Sequence, residues 1–223
     1  MNYDEILKQL KIEGNPTPCA RFTFSIPNAK EELVTAMSAV LGAMGERFVW
    51  LPEYDKVAEW LSANNGKGLL LFGNCGRGKS LLVRYAIPML LRKFANRIVT
   101  VVDCGSQSVN IDDVIKRKFI TLDDMGVEVD RVEFGTRRNL VVELINKAQD
   151  KPDTLLFISS NLTGEAIKDR YGDRIYDRIK YLCHRVAFNV YKTCLLVFVP
   201  AIHFYRATDY IPFLNNQIYP LIW

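Results

Sequence analysis

The chain has 223 residues, 49% of them hydrophobic and 24% charged, with 29 Lys and Arg against 25 Asp and Glu for a net charge of +4. That is enough apolar material for a substantial core, and too slight an imbalance to argue by itself for a nucleic-acid partner. The five cysteines, Cys19, Cys75, Cys104, Cys183 and Cys194, are odd in number and lack C-x-x-C spacing, which fits reduced thiols in the cytoplasm better than a disulfide framework or a zinc site. The first residues are not a signal peptide. No apolar run approaches the roughly 20 residues needed to span a bilayer, so no membrane is expected.

Ile6, Leu7 and Leu10 share a face and predict a short helix over 1–12, ended by Pro16 and Pro18. Phe22–Ile26 reads as a short extended piece. Asn28, with Glu31 three residues on, predicts a capped helix whose core face carries Leu33, Met37, Val40, Leu41 and Met44. A second helix over Glu53–Ala63 presents Val57, Trp60 and Leu61, and Asn64-Asn65-Gly66-Lys67-Gly68 then turns the chain. Residues 1–52 are expected to form a helical extension and residues 53–189 the core.

Leu69-Leu70-Leu71-Phe72 is the first core strand. It runs into Gly73-Asn74-Cys75-Gly76-Arg77-Gly78-Lys79-Ser80, followed by Leu81 and an apolar helix. Strand, glycine turn and helix with the spacing G-x-x-x-x-G-K-S form a phosphate loop, or Walker A motif. The glycines let backbone N–H groups line an anion-binding concavity, and the helix that opens at Lys79 adds the positive end of its dipole. Lys79 is expected to reach the β- and γ-phosphates and Ser80 to ligate Mg²⁺. Gly73 to Leu81 are therefore expected to hold ATP. Cys75 lies inside the loop, so its alkylation is expected to block nucleotide binding.

The helix from Lys79 is expected to run to about Ala95, bent at Pro88. Ile98–Asp103 reads as a buried strand, and Val109–Arg117 as a short helical segment. Phe119–Asp124 is an apolar strand ending in two carboxylates, which would be costly together without a cation or bound water. Asp123 is expected to hold Mg²⁺ with Ser80, and Asp124 to act as the base that orients the attacking water. A long helix with Leu140, Val141, Leu144, Ile145 and Ala148 on one face follows, then a turn at 150–153 and a strand over Thr154–Asn161. Two helical stretches fill Gly164–Cys183, and Arg185–Asn189 is the last core strand. Strands alternating with helices predict an α/β fold with a doubly wound parallel sheet of about five strands, its ligands at the carboxyl ends. Asn161 stands at such an end. It can cap the helix that begins near Gly164, or offer its amide to a γ-phosphate and the lytic water.

The runs Phe119–Glu128 (FITLDDMGVE), Phe134-Gly135, Ser159–Thr163 and Tyr171–Ile179 (YGDRIYDRI) resemble the DnaC/IstB group of AAA+ ATPases over about residues 50–189. These are helicase loaders and transposition helper ATPases. The resemblance implies Mg²⁺-dependent ATP hydrolysis serving DNA replication of a phage or mobile element, through a protein partner such as a replicative helicase. Within the group, a transposition helper that delivers a transposase is the alternative. The resemblance implies that Asn161 is sensor 1. It implies that Arg178 reaches the γ-phosphate of a neighbouring subunit, with Arg174 as the other candidate, and hence that the chain self-associates. Without it, Arg170, Arg174, Arg178 and Lys180, interleaved with Asp169, Asp173 and Asp177, read as a solvated helix face.

Two features depart from the group. Its loaders carry a helical insert, implicated in single-stranded DNA contact, where this chain has only Cys104–Lys118; Lys116, Arg117, Lys118, Arg137 and Arg138 are the basic residues left for that task. Residues 190–223 form an atypical apolar tail with no evident lid and no evident sensor 2 residue, whose expected roles are packing or partner binding, or none if an altered reading frame supplied it. His184 and His203 have no companions at ligand spacing. A nucleotide-gated binding module that hydrolyses little is the alternative from a different class.

Overall fold

A computed structural model describes residues 2–15, 19–133 and 136–188. Pro16, Pro18, Phe134, Gly135, Asn189 and the tail from Val190, with Cys194 and His203, lie outside them. Helix α1 (Tyr3–Ile12) begins with a complete capping box, in which Asn2 Oδ1 accepts from the Glu5 N–H and the Glu5 carboxylate accepts from the Asn2 N–H, both at 2.9 Å. None of its residues is buried, so Ile6 and Leu7 face solvent rather than a core.

Helix α2 (Ala29–Ala43) departs from the expected start. Asn28 sits at φ 49° and ψ 44° and its side chain caps nothing. Side-chain capping normally goes with extended backbone at that position, and Asn28 is left-handed. Leu33, Met37, Val40 and Leu41 are buried as their spacing requires, whereas Met44 lies beyond the helix and is exposed. Helix α3 (Glu53–Ser62) buries Val57, Trp60 and Leu61. Phe22–Ile26 joins no sheet. Asn64, itself buried, ties it down instead: Oδ1 accepts from the Phe24 N–H at 2.8 Å, and Nδ2 donates to the Phe22 and Lys67 carbonyls, both at 3.2 Å.

Strands β1 (Gly68–Gly73), β2 (Thr100–Asp103), β3 (Phe119–Met125), β6 (Leu155–Ser160) and β7 (Cys183–Phe188) form one parallel sheet in the order β2-β3-β6-β1-β7. Two strands that the sequence did not signal, β4 (Arg131–Glu133) and β5 (Thr136–Arg138), pair antiparallel as a separate hairpin. Alternation sorts the apolar runs onto the two faces of the sheet. Leu69, Leu71, Phe157, Val186 and Phe188 pack on one side, and Leu70, Ile120, Leu122, Leu156 and Ile158 on the other. Gly68 enters this layer so closely that a Cβ would stand 2.1 Å from the Leu156 carbonyl oxygen, which no side chain permits. β2 is an edge strand rather than a buried one. It begins only at Thr100, and Ile98 and Val101 are 74% and 41% exposed.

The helix after the phosphate loop is broken into α4 (Lys79–Leu81), a π turn (Leu82–Ala86) and α5 (Ile87–Ala95). Pro88 has no N–H to donate to the Arg84 carbonyl four residues earlier, and the wider turn lies just where that bond is missing. Helix α6 is short (Ile111–Ile115), and α7 (Leu140–Asp150), α8 (Gly164–Tyr171) and α9 (Asp173–Leu182) follow. Ile26, α2, α3, the π turn and α5 cover one face of the sheet, while α6 to α9 cover the other. From Ile26 onward, therefore, the expected N-terminal extension contributes to the same hydrophobic cluster as β1.

Candidate functional site

Three glycines shape the loop between β1 and α4, with φ 118° at Gly73, 73° at Gly76 and 80° at Gly78. At Gly78 a Cβ would also stand 2.5 Å from the Tyr54 hydroxyl, so the position excludes other residues on both backbone and steric grounds. The first turn of α3 holds the loop from outside. The Tyr54 O–H donates to the Arg77 carbonyl at 3.0 Å, and the buried Glu53 carboxylate lies 2.6 Å from the Arg77 guanidinium, a contact of charges rather than a directed hydrogen bond. The Asn74 N–H donates to the Phe188 carbonyl at 2.8 Å, anchoring the loop to β7.

Lys79 is 5% exposed. Its ammonium donates to the Gly73 and Asn74 carbonyls at 2.9 and 2.7 Å and to Asn161 Oδ1 at 2.9 Å. Burial pushes its pKa below the ordinary lysine range, partly opposed by the nearby Asp124 and Asp123 carboxylates. Ser80 follows in α4 and is half-buried, as is Leu81. Cys75 is exposed on the loop.

Successive strand residues normally face opposite sides of a sheet. The register of β3 against β6 shifts between Leu122 and Met125, and Asp124 within that bulge takes φ 56°. Bulges next to functional sites re-aim side chains in this way. The Asp124 N–H donates to Ser159 Oγ at 2.9 Å, and Ser159 in turn donates to Asp123 Oδ1. The Asn161 Nδ2 group lies 3.4 Å from Asp124 Oδ1. Burial raises the Asp124 pKa, and the like charges of Asp123 and Asp103 raise it further. Asn161 does not cap α8. Thr163 does, with its Oγ1 accepting from the Ala166 N–H at 3.2 Å, which leaves the Asn161 amide between Lys79 and Asp124.

Asp123 is not left open as the sequence suggested. It is 1% exposed, and its second oxygen accepts from Arg84 Nε, while Arg84 Nη2 donates to Asp103 at 2.8 Å. Against the cost of burial, these two carboxylates hold the Arg84 pKa well above the ordinary arginine value. The only sequence signal for Arg84 is a lone charge in the apolar run Leu81–Ile87.

The donor set fits a magnesium triphosphate. It comprises a glycine-shaped loop of N–H groups, a buried ammonium, the Ser80 hydroxyl and two strand-end carboxylates, and a Cβ on Gly76 would meet nothing within 4 Å at the loop mouth. Among the described residues no three His, Cys, Asp or Glu converge as a metal cage. Mg²⁺ is commonly held by one or two carboxylates with phosphate oxygens and water. Ser80 and Asp123 are the residues that would hold it.

The α9 arginines stand apart from this cluster. Arg178 donates to Asn146 Oδ1 on α7, and Arg174 is exposed without an ion pair among the described residues. The neighbouring acids are used locally, Asp173 by Lys168 at 2.9 Å and Asp177 by Lys180 at 2.6 Å. A junction that the sequence did not reveal holds the end of α8. The buried Glu128 accepts from the Tyr171 O–H and from the Gly126 N–H at 2.8 Å, and its carbonyl accepts from Arg170 at 2.6 Å. Of the basic residues considered for DNA, Lys116 pairs with Asp113, Lys118 with Asp153, and Arg138 with both Asp112 and Glu143. Arg117 is exposed, and the Arg137 side chain is outside the description. His184 is half-buried in β7, and its pKa is lowered by burial.

No protein-family model and no curated protein matches the chain. Among solved structures, the DnaC helicase loader matches with a TM-score of 0.51 at 14% identity, over 71% of this chain and 99% of that one. AMPPCP-bound DnaA from Aquifex aeolicus matches with a TM-score of 0.46 at 16% identity, over 64% of this chain and 48% of that one. The likeness to DnaC is one of fold, a parallel α/β sheet with the glycine loop after its first strand. No helix among the described residues is long and apolar enough to cross a membrane.

Proposed function

We propose that this chain is a Mg²⁺-dependent ATPase that acts in DNA replication as a helicase loader does, switching its own assembly and its grip on a protein partner with ATP. The observation that carries the reading is the linkage of Lys79, Asn161 and Asp124 within one subunit, at 2.9 and 3.4 Å. The likeness to DnaC supports the role in replication and a helicase as the partner.

Each residue has a task that follows from its present contacts. The loop N–H groups bind the phosphates, and Lys79 exchanges its two carbonyl partners for phosphate oxygens. Asn161 offers an amide that does not repel the γ-phosphate, with one end toward Lys79 and the other toward Asp124. Asp124 accepts the proton of the attacking water, and burial favours its doing so. Bound Mg²⁺ supplies neutralisation of phosphate charge at Ser80 and Asp123. Arg174 or Arg178 of a neighbouring subunit completes the site. Arg174 needs no contact broken, whereas Arg178 leaves Asn146. An arginine supplied in trans is worth about three to five powers of ten in rate.

Turnover per subunit is expected to rise steeply with protein concentration, and Asp124→Asn to lower turnover about a hundredfold or more while ATP binding persists. Activity per subunit that stays flat on dilution to nanomolar overturns the shared site. One observation favours a second reading, a nucleotide-gated binding module with little hydrolysis: Arg84 already occupies Asp123. On that reading Asp124→Asn changes nothing in turnover.

A further inference from the structure

Arg84 belongs to the π turn that interrupts the helix after the phosphate loop, and its side chain reaches the ends of two strands at once. Asp103 ends β2 and Asp123 lies near the end of β3, and the two are paired in register. The guanidinium spans both carboxylates, with Nε on Asp123 and Nη2 on Asp103 at 2.8 Å. The two seats differ. The Asp123 side chain is 1% exposed and its other oxygen is taken by Ser159, whereas the Asp103 side chain is 47% exposed and its other oxygen is fixed by the Gly105 N–H at 2.9 Å.

We propose that Arg84 gates divalent-cation binding at the nucleotide site by sitting on Asp123, with Asp103 as the seat to which its guanidinium withdraws. The inference rests on Asp123 being the carboxylate that faces the metal. A guanidinium in contact with that carboxylate repels a divalent cation approaching the same oxygens. Simple expulsion of Arg84 would leave a half-buried cation without a partner, which is costly. Asp103 removes that difficulty, because a shift within one ion-paired triad frees Asp123 without stranding the arginine. Asp103 thus sets how readily the metal enters while lying outside the ATP-contacting set.

The test is Mn²⁺ affinity of the ADP-saturated protein, read by electron paramagnetic resonance, with metal-free binding of a fluorescent ADP in EDTA as the control for an intact loop. Arg84→Met is expected to bind Mn²⁺ about tenfold more tightly than the parent. Arg84→Gln, which keeps a donor for Asp123 without the charge, is expected to follow it and carries the test if the methionine variant fails the control. Asp103→Asn confines the guanidinium to Asp123 and is expected to weaken Mn²⁺ severalfold. In the Arg84→Met background the same asparagine is expected to have little further effect.

A strut that merely holds the two strands together predicts weaker Mn²⁺ binding in every variant, and that result overturns the gate. So does an Asp103→Asn effect of equal size in both backgrounds, since Asp103 then acts on the metal directly. Mn²⁺ bound equally by parent and Arg84 variants overturns the gate but leaves the metal site standing. Its absence from all of them overturns the metal-site reading and the gate with it.

Discussion

The two faces of the sheet are built from different material. Beside α2, α3 and α5, aromatic rings interlock across the layer: Phe22 with Phe119 at 5.0 Å between centroids, Phe24 with Trp60 at 5.3 Å, and Trp60 with Phe157 and Tyr54 with Phe188, both at 5.9 Å. Beside α6 to α9 the buried residues are mainly aliphatic, among them Leu70, Ile120, Leu144, Ile145, Ile158 and Ile179. Aromatic pairs add about 0.5–1.5 kcal/mol each beyond the area they bury, and they constrain geometry. The aromatic face is also the one from which Glu53 and Tyr54 hold the phosphate loop. The other carries α9, which buries only Ile175, Ile179 and Leu182 and presents Arg174 outward. One face holds the phosphate loop, and the other turns an exposed arginine outward.

The largest test of that contrast is a pair of truncations. Trp60→Ala is expected to lower stability by about 3–5 kcal/mol and Leu144→Ala by about 2–5 kcal/mol, measured by denaturant unfolding. Only the first should also weaken ADP binding by the folded fraction, and equal weakening by both breaks the contrast. Asn64→Ala removes the amide that bonds the backbone of Phe22 and Phe24. Its expected cost is about 1–3 kcal/mol, because buried backbone groups lose their partner, and a cost within about 0.5 kcal/mol would place that segment outside the cooperative core. Tyr54→Phe keeps the ring but drops the bond to Arg77. A stability loss of about 1 kcal/mol, with a severalfold loss of ADP affinity, sharpens the assignment of loop control to α3, and unchanged affinity breaks it.

The smallest expected effect is a pH dependence. Burial lowers the folded-state pKa of His184, and the coulombic fields of Lys67, Lys56 and Arg185 lower it further while Glu59 opposes them. The unfolded chain therefore takes up its proton first as pH falls through about 6.5, and stability drops across that window. His184→Gln should show a shallower fall between pH 7.5 and 5.5 than the parent, and identical slopes would remove His184 from the account.

Much of this was legible in the sequence because it is local. The apolar runs at Leu69–Phe72 and Leu155–Ser160 and the glycine spacing before Lys79 each carry their meaning within a few residues. What the sequence concealed depends on distant partners. Arg84 meets carboxylates 19 and 39 residues away, and Asn64 meets Phe24 from 40 residues away. The left-handed turn at Asp124 arises from a register shift between β3 and β6, which no pattern inside β3 encodes. β-Branched residues are enriched in edge and central strands alike, so the composition of Ile98–Val102 could not tell that β2 lies outermost. Asn2 and Asn28 show the limit of capping patterns. Both precede helices with Glu at the third position, yet only Asn2 has the extended backbone that makes the box.

The bond from Asn74 to Phe188 ties the birth of the site to the order of synthesis. β1 has β6 on one side and β7 on the other, both made from chain that follows it at long range. A ribosome adding about 5–20 residues per second produces the phosphate loop on the order of ten seconds before the strand that anchors it. During that interval the strand that bears the loop lacks at least one of its two neighbours, and Asn74 lacks the Phe188 carbonyl. The bond from Asn74 therefore forms only on a finished sheet, and the anchorage of the loop records the completion of this molecule.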